Sequence, residues 1–207
     1  FSRINTGGMT LNSQEIRHAL NKGPVRQFLA DLIKTDAFQE ATKGSVSDVR
    51  MSARECALRF VAFHLVSWSS YRNNDLDGFL NAAMKSVNDS STSERNSIRE
   101  SFDKAMRAAA EIFEDDAFRK RYRADAPRSP ISKALFETWS VTLAALSSAE
   151  LRTLYERKER VRALFMQTLA EDRDFEVSIS YATGVPGRVR KRFETVELIV
   201  KKVLSNA

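Results

Sequence analysis

The sequence predicts an all-α protein, a multi-helix bundle of about eight to ten helices. Apolar residues recur at three- and four-residue spacing along nearly the whole chain, the spacing that places them on one face of a helix. Asn12-x-x-Glu15, Ser52-x-x-Glu55, Ser91-x-x-Glu94 and Ser147-x-x-Glu150 have the pattern of capping boxes. Breakers are scarce: 7 Gly and 4 Pro among 207 residues are too few for a turn-rich sandwich or a collagen-like chain.

The first helix follows Asn12, whose side chain can accept from a free amide of the first turn while Glu15 reaches back. Gly23-Pro24 separates it from the second, because a first-turn proline lacks only an N–H that would have no helical partner. Ala53 to Trp68 is apolar on nearly every side, broken by Arg54, Glu55, Arg59, His64 and Ser67, and is predicted to lie in the middle of the bundle. Leu76, Phe79, Leu80, Ala83, Met84 and Val87 mark a one-faced helix, and Ile98, Phe102, Met106, Ala109 and Phe113 a longer one. Asp125 to Pro130 reads as a linker. After it, Ile131, Leu135, Trp139, Leu143 and Leu146 mark another helix. Leu151, Leu154, Tyr155, Val161, Phe165 and Leu169 predict one long helix whose other face is charged. Val177 to Tyr181 alternates weakly but lies between helices, so a short helix or turn is expected there rather than a strand. Val189, Phe193, Val196, Val200 and Val203 mark the last helix. The expected organisation is a closing motif over 1–22, a helical bundle over 23–125 and a C-terminal helical subdomain over 126–207.

Charge is uneven. The chain has 33 Lys+Arg and 27 Asp+Glu, a net charge of +6. Arg119 to Lys133 contributes +5 and Arg188 to Ala207 contributes +4, which leaves −3 for the rest. Clustered basicity is the footprint of a polyanion partner, so Arg119, Lys120, Arg121, Arg123, Arg188, Arg190, Lys191 and Arg192 are candidate contacts to DNA phosphates. The plainer reading of both windows is solvated helix ends and a loop. No apolar run approaches the ~20 residues of a membrane helix, and no membrane partner is expected.

Most catalytic signatures are missing. There is no Gly-x-x-x-x-Gly-Lys-Ser/Thr phosphate loop and no Gly-x-Gly-x-x-Gly. With two histidines, His18 and His64, and one cysteine, no metal site is expected. His64 reads as a satisfied core residue, His18 as a surface residue and Cys56 as a small core hydrophobe. Cys56 also excludes an internal disulfide. No catalytic residue is assigned.

The richest stretch is the opening, Phe1-Ser2-Arg3-Ile4-Asn5-Thr6-Gly7-Gly8-Met9-Thr10-Leu11-Asn12-Ser13-Gln14-Glu15-Ile16-Arg17. It is a polar Gly-Gly loop feeding a capped helix start. Glycines allow close backbone approach, the helix start offers free N–H groups, Arg3 adds a fixed cation, and Asn5 adds a donor and an acceptor. Such a set can hold a phosphate; a tight turn is the plainer alternative.

This stretch resembles the Phe-x-Arg-Ile-Asn-x-Gly-Gly-x-x-Leu-x-x-x-Glu-Ile-Arg motif of the GmrSD restriction-endonuclease N-terminal domain family. Val49-Arg50-Met51 with Glu55 and Leu58-Arg59-Phe60 resembles that family's next helix. Leu76-Asp77-x-Phe79-Leu80-Asn81 resembles the one after, and Gly184 to Val196 a closing helix. The resemblance implies an upstream ParB/sulfiredoxin-like α/β half with an Asp-Gly-Gln-Gln-Arg signature, tied to nucleotide hydrolysis and to cleavage of modified phage DNA. That signature is absent here, as is any His-Asn-His-like nuclease motif. The chain opens on Phe1 rather than Met, so further sequence before it is expected.

The resemblance implies that Arg3, Asn5, Gly7 and Gly8, with Glu15 and Arg17 second, edge a nucleotide or phosphate pocket. NTP and Mg²⁺ would belong to the parent protein, with no cofactor in this chain. The implied function is the helical region of an NTP-dependent, cytoplasmic DNA nuclease of phage defence, partnered by the upstream α/β domain and DNA. The alternative is a non-enzymatic interaction scaffold. In it, the charged run around Arg152 to Arg162 docks a partner or a second copy of the chain.

Overall fold

A computed structural model describes residues 10–205. Among them the chain forms eleven α-helices: α1 (Ser13–Leu20), α2 (Pro24–Leu32), α3 (Asp36–Thr42), α4 (Ser52–Leu65), α5 (Leu76–Asp89), α6 (Thr92–Phe113), α7 (Lys133–Ala145), α8 (Ser148–Glu156), α9 (Lys158–Glu171), α10 (Arg173–Ser180) and α11 (Pro186–Ser205). Short 3₁₀ turns lie at Trp68–Ser70 and Glu114–Asp116. The described residues hold no strand; an isolated bridge joins Arg119 and Ile131.

Local chemistry sets most of the starts. Asn12, Ser91 and Ser147 close their capping boxes with Glu15, Glu94 and Glu150. Thr35, Asp75, Ser132 and Asp172 cap α3, α5, α7 and α10 by accepting from the amide three residues on. The box predicted at Ser52 does not form. Met51 takes the cap position in the left-handed region (φ 57°), and Ser52 is already helical. Glu55 turns instead to two cations, Arg59 and Lys133.

The helix count exceeds the expected eight to ten for two reasons. α3 is too short for apolar periodicity to reveal. The long charged helix expected after Ser147 breaks at Arg157 (φ −113°, ψ 24°), which ends α8 and opens α9. The side chain of Arg157 is turned to its own chain, where Nη1 donates to the Val203 carbonyl at 2.7 Å.

α6 packs against α3 and α7, α4 against α5 and α7, and α11 against α10, α7 and α9. Residues on both sides of the 125–130 loop share one apolar core, with Phe38, Phe60, Phe102 and Phe136 in mutual ring contact. Phe113, Trp139 and Phe165 extend it toward α9. α4 is central, as its composition predicts, and α7 equally so: every residue from Ala134 to Ser140 is buried.

α1 is oriented the other way round. Its buried residues are the polar Gln14 and Arg17. Leu20 is 58% exposed, and the neighbouring Leu11 and Val49 are 42% and 88% exposed.

Candidate functional site

Arg3, Asn5, Gly7 and Gly8 lie outside the described residues. The two remaining phosphate candidates of the opening stretch, Glu15 and Arg17, serve the fold instead. Glu15 accepts from Arg50 Nε at 2.8 Å and Nη2 at 2.7 Å while completing its cap. The Arg50 guanidinium and the Asn12 amide hold its carboxyl below the ordinary range. Arg17 is buried; it donates to Gln14 at 3.0 Å and pairs with Asp77. Asn21 donates to Asn81 at 2.9 Å. The opening stretch therefore meets the segments at Arg50 and Asp77, Glu15 on Arg50 and Arg17 on Asp77, with Asn21 just beyond it on Asn81.

Beneath them lies a string of buried charges. Glu137 on α7 has no exposure to solvent. Its Oε2 accepts from Arg59 Nη1 of α4 at 2.9 Å, and its Oε1 pairs with Arg192 Nη2 of α11. Arg59 also pairs with Glu55 at 3.0 Å, and Glu55 with Lys133 at 2.6 Å. Arg192 donates from Nη1 to the carbonyls of Thr183 at 2.8 Å and Ser178 at 3.4 Å. Burial works against the Arg59 charge, but Glu137 and Glu55 outweigh it and raise its pKa. Tyr71 reaches the same turn, donating to the Gly184 carbonyl at 2.6 Å.

Arg192 is therefore removed from the phosphate-contacting set, because it is fully buried and its charge is neutralised by Glu137 inside the core. The sequence carried a signal for this. Arg192 falls on the same helical face as Val189, Phe193 and Val196, all buried. Arg119 leaves the set for a similar reason. It is buried and donates to the carbonyls of Asp115 at 3.1 Å, Ser129 at 2.6 Å and Thr42 at 3.5 Å, locking the loop before α7.

The other members of the two basic windows lie at the surface or half-buried, and α10 joins them. From the first window, Lys120 pairs with Glu176 at 3.4 Å and also reaches Ser180; Tyr122 donates to Glu176 at 3.2 Å. Arg121 pairs with Asp116 at 3.2 Å and Arg123 with Asp125 at 2.9 Å. From the second window, Lys191 pairs with Asp172 at 2.7 Å. Arg188 donates to the Tyr181 carbonyl and lays its guanidinium 5.1 Å from the Tyr181 ring centre. Arg190 is exposed, and neither it nor Arg188 makes an ion pair with a described residue. Two windows far apart in sequence thus flank one short helix, with Tyr122 and Tyr181 exposed beside them. The tyrosines were not singled out from sequence, since nothing local marks them.

The remaining candidates are quiet. Cys56 is buried, and its thiol is pushed up to about 12 by burial, so it is no nucleophile at neutral pH. His64 is half-buried, stacked on Phe60 at 5.1 Å, and its pKa is lowered by burial. It faces a groove of about 900 Å³ between α4, α7 and α11, walled by Phe63, Trp68 and Phe193. His18, expected at the surface, is half-buried, with Nδ1 enclosed and unpartnered. Among the described residues no group of three His, Cys, Asp or Glu could hold a metal ion, and no helix is long and apolar enough to cross a membrane. No family model, curated protein or solved structure matches the chain.

Two outcomes follow from these contacts. Arg119→Ala removes a buried guanidinium that ties three carbonyls together and should lower unfolding stability by about 2 kcal/mol in urea, whereas Arg123→Ala should leave the midpoint unchanged. Burial pushes the Glu55 carboxyl up, but Arg59 and Lys133 together hold it below its ordinary 4.5. A depressed folded-state pKa gives stability that is complete above about pH 4.5 and is lost as pH falls through the folded value. The melting temperature of the wild type should therefore drop on acidification below that point. Glu55→Gln should melt lower at pH 7 and show a shallower acid decline.

Proposed function

We propose that this chain is the helical region of a GmrSD-like, NTP-dependent DNA nuclease of phage defence, packing on a catalytic α/β half and contacting nucleotide or DNA phosphates. The observation that carries this reading is the orientation of α1. α1 buries Gln14 and Arg17, leaves Ile16 and Ala19 half-buried, and puts Leu20 in solvent at its end, with Leu11 and Val49 exposed near its start, so apolar surface is left uncovered at both ends. Leu11 lies within the stretch that resembles the family's closing motif, and Leu20 three residues after it. The ion pairs Glu15–Arg50 and Arg17–Asp77 tie α1 to the turn before α4 and to α5. Arg123, Arg188 and Arg190 are the cations best placed for phosphates: Arg123 and Arg190 are exposed and Arg188 is half-exposed.

A second reading, a non-enzymatic scaffold, is favoured by the same apolar surface, which a second copy of the chain could cover. Its other support is weaker. In the charged run around Arg152 to Arg162, Arg157, Lys158 and Arg162 are engaged by the chain's own Val203, Glu111 and Glu114.

The full-length gene product should hydrolyse NTP, and Leu20→Glu should lower that rate about tenfold or more by placing a charge in the domain contact. Absence of hydrolysis, or indifference to Leu20→Glu, would overturn the proposal. Light scattering separates the second reading: a stable dimer of this chain that Leu20→Glu dissolves favours the scaffold.

A further inference from the structure

We propose that the corner between α10 and α11 is a stacking shelf for unpaired bases of a single-stranded nucleic acid, with Tyr181 as the platform and Arg188 and Arg190 as its phosphate-facing cations. The inference rests on the phosphate-contact part of the function above and narrows its substrate.

Tyr181 is 71% exposed. A single exposed aromatic is ordinary, but this one is engaged by Arg188 at both its backbone and its ring. Its backbone carbonyl accepts from Arg188, and the same guanidinium lies 5.1 Å from the ring centre. A cation on one side of a ring so exposed leaves the other side to solvent. The ring is thus pre-positioned and polarised, the condition for stacking a base with a cation–π contribution. Tyr122, 44% exposed, adds a second aromatic about one helical turn away, tethered to Glu176 while Lys120 reaches Ser180.

The charges around the shelf favour a polyanion. Arg188 and Arg190 form no ion pair among the described residues, and both sit in the first two turns of α11, at the positive end of its dipole. Of the nearby acids, Glu176 accepts from Lys120, Tyr122 and Ser180, and Asp172 from Lys191, while exposed Glu194 lies one turn after Arg190 on α11 and leaves Arg188 the less opposed of the two cations. Asp174 lies at the opposite end of α10, about 10 Å away along the helix.

A duplex would satisfy the cations but not the rings, because its bases are stacked inside it. A single strand offers both phosphates and free base faces. A membrane surface would satisfy the cations, but it wants a broad apolar face, and this corner presents two separate tyrosines.

The test is fluorescence anisotropy of the whole chain with a labelled dT oligomer, a U oligomer and a mixed-sequence duplex of equal length, across a salt series. The single strands should bind tighter than the duplex, and the dT and U arms show which source is preferred. Tyr181→Ala should weaken single-strand binding about 5- to 100-fold with little change for duplex, while Tyr181→Phe stays within about twofold. Arg190→Ala should weaken all three and lower the salt slope by about one. Equal binding of duplex and single strand, or indifference to Tyr181→Ala with the salt slope intact, overturns the shelf and leaves the phosphate contacts standing. No binding to any of the three overturns both. Because Tyr181 and Arg190 are exposed, circular dichroism and melting of these variants should match the wild type, so a folding defect is distinguishable from lost binding.

Discussion

Glu137 is a carboxylate shut away from water, and much of this structure is arranged around what it needs. A buried charge without a partner is strongly destabilising, so α7 can keep Glu137 only if cations come to it. Arg59 comes from α4 and Arg192 from α11, one to each carboxylate oxygen. Arg59 then recruits Glu55, and Glu55 recruits Lys133. Arg192 has donors left over and uses them on the carbonyls of Ser178 and Thr183, which fixes the turn between α10 and α11. One interior charge thereby sets the relative positions of four helices. Apolar packing alone would fix them less specifically, since greasy faces can slide past one another.

That arrangement reaches the surface. With Arg192 pinned in the core, Arg188 and Arg190 are carried to the rim one turn or less before it, and Tyr181 sits in the turn that Arg192 holds. The cationic, aromatic corner is the outer side of the buried string. The neighbouring α1 follows the same logic, for Gly184 of the α10–α11 turn lies against Leu76, next to the Asp77 that pairs with Arg17. Arg17 is held by Asp77 and Glu15 by Arg50, so α1 lies polar side down and shows Leu20 to solvent. The features that support the functional proposal, an apolar platform at α1 and free cations near α10, are both consequences of where ion pairs were placed inside.

Helices were legible from sequence because caps and three-four spacing are local. Asn12, Ser91 and Ser147 worked as read. Ser52 did not, because Glu55 had a choice that only tertiary structure offers: Arg59 and Lys133 outcompete a backbone amide. The break at Arg157 was invisible for a related reason, since Glu156-Arg157-Lys158-Glu159 is good helix sequence and the kink is set by contacts to distant residues. In the candidate site, composition located the basic windows but could not sort them. Arg192 was recoverable, because it shares the spacing of Val189, Phe193 and Val196. Arg119 was not, because its partners are loop carbonyls. The meeting of the two windows across α10 is a long-range fact with no local trace.

The most direct test of the role of Glu137 is a double-mutant cycle with Arg192, using Glu137→Gln, Arg192→Gln and the double variant in urea unfolding. If Glu137 is the charge on which the positions of α7 and α11 depend, each single change should cost about 3–5 kcal/mol, with a coupling of about 1.5–3 kcal/mol between them. Costs that add to within about 0.5 kcal/mol would mean that the two residues act independently, and that packing rather than this ion pair places α11.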